Sequence, residues 1–452
     1  MKRLVSLAFA LTAALPASAA PISILFVGNS YTFGRLDPVL TYNAANVRDL
    51  TKPQGPLVVG SIATTPKFSD VTGTNSYALG MINPTTLVQG NSFSPHSQTI
   101  GWGGVPGIFK QLTVQAGLDY DVALSTRNAA TLRGHFLNTA NSTNWDLRSN
   151  ISSQRWDKMV LQEQSDEALL PRTVGGVPLG SNYPHIQAYV DRIEDWVHQG
   201  AALSYTERDM YTAIHGSQAN CVAAGGTTGS CGNTTLREIP SNTNFNSATE
   251  IYLQQTWARP NLINAPGTTT INAATGIATY NPALPVPSYF STLEAMTAEM
   301  STGMSNVAAF AGVDGSGGIK GIIPVGQAFL TAVQAGLATR NMYAGDALTD
   351  NLIDLWFNDG THASVAGSYL SALTNFGSIT GLDPAMFGAG ERAARELGLT
   401  GREAWLLQRV ASVQLGFRNE IPEPGSLALV ALALLSLGGL RRHTALAAVG
   451  RR

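Results

Sequence analysis

Charge is scarce in this chain. Only 13% of its 452 residues are charged, and 28 basic side chains against 30 acidic ones leave a formal net charge of −2. A nucleic-acid binder needs a basic stripe, so that class is excluded. Cysteine is scarcer still, with Cys221 and Cys231 the only two. In an oxidising compartment they would close a small loop within their Gly/Thr/Ser-rich segment; the alternative is two unpaired thiols, and neither arrangement is catalytic. No group of Cys and His has zinc-site spacing. No internal repeat is evident. What is present is a chain that is 44% hydrophobic, interrupted by long stretches rich in Asn, Ser, Thr and Gly. Such a chain has ample material for a core, and its polar loops suit a secreted protein.

The two ends read as targeting segments. Met1-Lys2-Arg3 is basic, Leu4 to Leu15 is apolar, Pro16 breaks the run, and Ala17-Ser18-Ala19 fits a small-x-small cleavage site. Residues 1–19 are therefore expected to be a secretory signal peptide, cut before Ala20. At the other end Pro422-Glu423-Pro424-Gly425 precedes an apolar stretch from Ser426 to Leu440, then Arg441-Arg442. That stretch is shorter than the ~20 residues of a comfortable membrane span, and the arginines favour the cytoplasmic side. The order of parts resembles the PEP-CTERM sorting signal of Gram-negative bacteria, extended here by His443–Arg452. The resemblance implies an exosortase-type enzyme as partner. It also implies export to the periplasm, outer surface or extracellular matrix, with residues 421–452 as a transient or permanent membrane anchor. A plain anchor helix is the alternative reading.

Between these ends, apolar runs alternate with helical periodicity. Ile22–Val27, Tyr120–Ser125, Lys158–Gln162, Glu250–Gln254 and Gly321–Pro324 read as strands. Val105–Ala116, Pro184–Gln199, Ser288–Ala311 and Ala363–Phe376 read as helices. Strands separated by helices predict an α/β fold, with a parallel sheet covered on both faces. Thr51–Ser97, Gly216–Ser247 and Pro260–Pro287 read as long polar loop insertions at the rim of that sheet. Residues 384–420 read as a helical extension, with helices over Glu391–Leu397 and Glu403–Leu415, and no chemistry of its own.

Two strings carry the chemistry. Gly28-Asn29-Ser30-Tyr31 follows the buried run Ile24-Leu25-Phe26-Val27, which presents Ser30 on a turn at a strand end. Asp359-Gly360-Thr361-His362 places a carboxylate three residues before an imidazole, ahead of a helix. A serine hydroxyl is too weakly acidic to attack an ester until a base takes its proton. His362 is that base, and Asp359 would hold the other ring nitrogen and stabilise the imidazolium. Gly360 permits the tight turn that supplies both.

These strings resemble the first and last blocks of the SGNH/GDSL hydrolases, with Asn29 where many members carry Asp. Trp156–Ser165, Thr256–Pro260 and Ile323–Gly326 resemble a branch in which the third block is a Gln-rich strand end. The resemblance spans roughly Ile22 to Pro384. It implies a three-layer α/β/α, flavodoxin-like fold with a parallel central sheet, residues 20–383 forming the catalytic domain. It also implies an oxyanion hole built from the Ser30 N–H, a second-block N–H and a third-block amide. The second block falls in Ser125–Leu132, where relatives carry a Gly pair and this chain has Asn128-Ala129, so the donor is the Ala129 N–H. The third is the Gln164 amide, with Gln162 as runner-up, since alternation places both on one face. Asn29, Gln162 and Arg259 are expected to touch substrate, Arg259 alternatively pairing a carboxylate. His135 sits where the branch often has a histidine, as a structural group or a substrate contact. Glu163 is a lone carboxylate beside the site, without the second acid that glycosidase chemistry needs.

The expectation is a secreted or surface-retained serine esterase acting through an acyl-enzyme on Ser30, with no cofactor. Its substrate would be an acylated small molecule or glycan, acetyl esters of exopolysaccharide being favoured by the sorting tail. Transfer of the acyl group to a sugar hydroxyl would use the same residues. The contrasting reading is a non-catalytic glycan-binding or matrix protein on a degenerate hydrolase fold.

Overall fold

The computed structural model describes residues 20–34, 37–50, 102–127, 129–137, 146–263, 268–271, 278–281, 288–344, 346–347, 349–357 and 360–420. The expected signal peptide, the sorting tail, the Thr51–Ser97 insertion and Asp359 itself lie outside them. Six strands form one sheet: β1 (Ile22–Gly28), β2 (Arg48–Asp49), β3 (Tyr120–Thr126), β4 (Lys158–Gln162), β5 (Glu250–Gln254) and β6 (Gly321–Ile323). Their spatial order is β6-β5-β4-β1-β3-β2, and every pairing is parallel. The continuous apolar run of β1 has its cause here. Ile24, Leu25, Phe26 and Val27 are each 0% exposed, because a central parallel strand is covered on both faces.

From β1 the chain runs out to the short edge strand β2 and back to β3 on one side of β1, then crosses to β4 on the other. Right-handed crossovers in opposite directions put their helices on opposite faces. One layer holds α2 (Gly104–Gln115), which packs on the late helix α8 (Val365–Thr380), itself against α7 (Val325–Gln334). The other holds α3 (Leu132–Leu137), α4 (Tyr183–His198) and α6 (Leu293–Phe310). The fold is thus a three-layer α/β/α sandwich. Its direction reverses at β1, and ligand sites in such sheets lie at the carboxyl ends of the strands flanking that reversal. The register brings those ends level, with Gly28 opposite Thr126 and Val27 opposite Leu161.

Five of the six strands match their expected ranges to within a residue; the two-residue edge strand β2 had no counterpart in the sequence. Two expected loops are corrected. Gly216–Ser247 contains helices Gln218–Ala223 and Thr228–Cys231 and a strand, Leu236–Ile239, that pairs antiparallel with Leu203–Thr206. A Cys221–Cys231 disulfide joins the two helices, both sulfurs buried. Pro260–Pro287 holds a short 3-10 turn and a hairpin of Thr268–Ile271 with Ala278–Asn281. These elements are too short for periodicity to rise above their polar composition. Helix α5 (Glu207–His215) and α7 had no counterpart in the sequence reading, and α6 begins at Leu293, capped by Thr292 rather than at Ser288. The extension supplies α9 (Arg392–Glu396) and α10 (Gly401–Gln414), and α10 packs on α8 with Leu406, Leu407 and Val410 buried. Among the described residues no helix is long and apolar enough to cross a membrane.

Candidate active site

β1 stops at Gly28 and the chain turns at once into a single helical turn, α1 (Ser30–Phe33). Asn29 makes the turn: its side-chain oxygen accepts from the Tyr31 N–H at 3.1 Å, and its backbone oxygen from those of Thr32 and Phe33. Behind it, the Gln162 side-chain oxygen accepts from the Asn29 N–H and the Thr32 hydroxyl, both at 2.9 Å. Gly28 makes room for that amide, since a Cβ there would sit 2.5 Å from the same oxygen. Ser30 is left at the head of the turn, 6% exposed.

The second string arrives from the other end of the chain. His362 Nε2 lies 2.8 Å from Ser30 Oγ, across 332 residues of sequence. The turn carrying His362 is tied to the loop after β5. Trp257 Nε1 donates to the Thr361 oxygen at 2.9 Å, Asn261 Nδ2 to Thr361 Oγ1 at 3.0 Å, and the Asn261 N–H to the Gly360 oxygen at 3.3 Å. Trp257 stacks flat on Phe329 of α7, with ring centroids 4.8 Å apart. Gly360 has φ +62°, the region that favours glycine. Ser364 then caps α8, its hydroxyl accepting from the Gly367 N–H. Tyr31 packs edge-on to the His362 ring at 5.4 Å, and its hydroxyl donates to Ser165 at 3.0 Å.

Past the end of β3, Ala129 is exposed and has φ +54°, where a side chain costs about 1–2 kcal/mol. The chain therefore keeps the left-handed turn natural to glycine while lacking the glycine. The turn is fastened all round. The Ala130 oxygen accepts from Asn29 Nδ2 at 3.1 Å, and the Leu132 N–H donates to Glu163 at 3.0 Å. Arg133 pairs with buried Glu207, and His135 Nε2 lies 2.7 Å from the Gly28 oxygen. Gln164 is half-buried, its side-chain oxygen 3.4 Å from Asn29 Nδ2, so an amide nitrogen remains on its other side.

Comparison with known proteins adds little to this geometry. No family model and no curated protein matches the chain. Among solved structures it is similar to a DUF4886 family protein from Bacteroides uniformis, at 12% identity and a TM-score of 0.39, over 90% of this chain and 99% of that one. It is also similar to a candidate SGNH hydrolase from Slackia heliotrinireducens, at 13% identity and a TM-score of 0.29, over 80% of this chain and 100% of that one. At this level neither likeness says what the chain does.

Two of the expected substrate contacts are corrected by burial. Asn29 is 1% and Gln162 0% exposed, so their amides build the Ser30 turn from behind rather than line a cleft. Arg259 reaches the site but is engaged there, donating to Ser165 Oγ at 3.2 Å, Asp166 at 3.4 Å and Asn261 at 3.2 Å. A guanidinium this desolvated needs a carboxylate beside it. His135 is a satisfied core histidine at 0% exposure, and burial lowers it to about 4, so it is neutral and donates to Gly28. Burial pushes the Glu163 carboxyl up to about 8, against the pull of the Gln164 and Leu132 N–H bonds. Two contacts had no sequence signal, the Trp257 clamp on Thr361 and the Tyr31–Ser165 bond, because each joins segments far apart in the chain. Asp191, Asp195 and Asp314 bring carboxylate oxygens within 4.8 Å of one another on α4 and the loop after α6. Exposed acidic groups of that kind are common without an ion, and nothing else there points to a ligand.

Proposed function

We propose that the protein is a serine esterase of the SGNH type. The reading is carried by one observation, the 2.8 Å approach of His362 Nε2 to Ser30 Oγ at the strand ends flanking β1. In the reaction, His362 Nε2 takes the hydroxyl proton as Ser30 Oγ attacks the ester carbonyl. The Ser30 and Ala129 N–H groups and the Gln164 amide nitrogen receive the negative charge that develops on the carbonyl oxygen. The alcohol leaves with the proton from His362, and a water deprotonated by the same nitrogen releases the acid from Ser30. Asp359 keeps the imidazole's proton on Nδ1 in this scheme, the role implied by the resemblance.

The favoured substrate class is an acetylated glycan or exopolysaccharide outside the cytoplasm. Support comes from the basic-apolar-small order of residues 1–19, the Pro-Glu-Pro, apolar and Arg-Arg order of the tail, and the Cys221–Cys231 disulfide, a bond that persists in oxidising compartments. The tail makes an exosortase-type enzyme the processing partner. The test is turnover of p-nitrophenyl acetate and of an O-acetylated polysaccharide by the wild-type protein and by Ser30→Ala. Ser30→Ala is expected to lose at least about 10³-fold in kcat/KM. Equal rates for the two proteins would leave the non-catalytic glycan-binding reading in its place.

A further inference from the structure

Ala129 and Gln164 must present their donors to the same oxygen, yet they stand on segments that do not adjoin. Ala129 follows β3 and Gln164 follows β4, and β1 lies between the two strands. No ladder bond therefore ties one end to the other, and strands two places apart are separated by about 9.6 Å. The Asn29 amide makes one bridge, to the Ala130 oxygen and Gln164 Oε1, but it runs through the nucleophile's own turn. Glu163 makes another that does not. Its two carboxyl oxygens accept the Leu132 N–H at 3.0 and 3.1 Å, and one of them also accepts the Gln164 N–H at 2.6 Å.

We propose that Glu163 is a positioning residue, a buried clamp that sets the distance between the Ala129 turn and Gln164 and so aligns the oxyanion donors. The proposal rests on the esterase reading. The burial of the group supports it. Glu163 is 0% exposed with Asp166 and Glu167 nearby, a costly place for an acid whose only service is stability. A neighbouring apolar side chain would fill the space but offer nothing to two backbone N–H groups, one at the start of α3 and one past the end of β4. Because burial raises this carboxyl, a neutral amide of the same length is a close mimic of it near neutral pH.

Donors act only when they reach the oxyanion, and a misplacement of about 1 Å can cost on the order of 10²-fold in rate. Glu163→Ala is therefore expected to lower kcat by on the order of 10²-fold with KM within a few-fold, while Glu163→Gln recovers kcat to within about fivefold of wild type. Wild-type kcat in a folded Glu163→Ala protein would overturn the clamp. So would equal losses in the Ala and Gln variants, which would mark a structural role without alignment. If Glu163→Ala does not fold, Glu163→Asp, one methylene shorter, takes its place, and unchanged kcat there overturns the proposal as well. Amide exchange supplies a readout that does not depend on the reaction. The Leu132 and Gln164 N–H groups should exchange at least about tenfold faster in Glu163→Ala than in wild type, with protection restored in Glu163→Gln. A wild-type protein without Ser30-dependent turnover would end the esterase reading, whereas unchanged exchange at those two amides would end the clamp.

Discussion

Gln162 and Gln164 lie one side-chain repeat apart at the end of β4, and strand alternation alone treats them as equivalent. Their surroundings do not. The Gln162 oxygen is taken by the Asn29 N–H and Thr32 hydroxyl in a space left by the missing Cβ of Gly28, whereas Gln164 lies past the strand and is half-buried. Under the proposed esterase mechanism, Gln164→Ala should lower kcat by on the order of 10²–10³ with little change in KM, because its amide would act on charge formed in the transition state. Gln162→Ala should instead act on folding. It leaves the Asn29 N–H buried without its acceptor, at a cost of about 1–3 kcal/mol, read from denaturant unfolding. The reverse pattern, with kcat lost at Gln162 and stability at Gln164, would exchange their roles. The sequence pointed to both residues, but which one faces outward depended on Gly28, which stands far from Gln162 in the chain.

At the scale of elements, the His362 turn shows how a loop is held in place by distant partners. Its sequence cue was local, Gly360 between Asp359 and Thr361. The reason glycine is needed proved to be both local and distant. The residue has φ +62°, and a Cβ would come within 1.9 Å of the Tyr343 hydroxyl and 2.9 Å of the Asn261 nitrogen. Gly360→Ala is therefore expected to destabilise by about 1–3 kcal/mol and to lower kcat more than it raises KM, since His362 shifts against Ser30. Adding Tyr343→Phe should recover part of the loss by removing the nearest atom. A Gly360→Ala enzyme with wild-type stability and kcat would show that the turn tolerates a side chain. Strands were legible because both faces are buried, which writes them as unbroken apolar runs. Helix α7 was not, although Val325, Ala328, Phe329, Ala332 and Val333 are buried at helical spacing. Pro324 read as the last residue of the strand and is in fact the N-cap of the helix that begins at Val325.

Over the whole molecule, several ionisable groups are buried in ways that give stability a definite pH dependence. Burial raises Glu163 to about 8 and, with Asp195 adding repulsion, Asp191 to about 7. A carboxyl with a raised folded pKa binds more protons in the native state than in the unfolded one, so stability falls as pH rises from about 4.3 toward that folded value. His135 and His185, which burial lowers to about 4 and about 3, work the other way, but their effect ends above about 6.5, where the unfolded rings are also neutral. Between pH 6.5 and 8 the carboxyls act unopposed by these histidines. The guanidinium midpoint should accordingly decline across that window, and Glu163→Gln should flatten the decline. A midpoint that rises from pH 6.5 to 8 would contradict the assignment.

The sequence by itself determined the class of fold and singled out Ser30 and His362, because both are written locally. A strand buried on two faces must be apolar throughout, and a serine presented at its end follows such a run, as Ser30 follows Ile24–Val27. An imidazole on a tight turn before a helix is equally visible, as with His362 ahead of α8. The tertiary structure alone decided what surrounds that pair. It closed Asn29 and Gln162 away behind the turn, engaged Arg259 with Asp166, and gave buried Glu163 its bonds to Leu132 and Gln164. Those outcomes follow from which strand ends stand side by side, and in a parallel sheet neighbours are set by crossovers tens of residues long, not by adjacency in the chain.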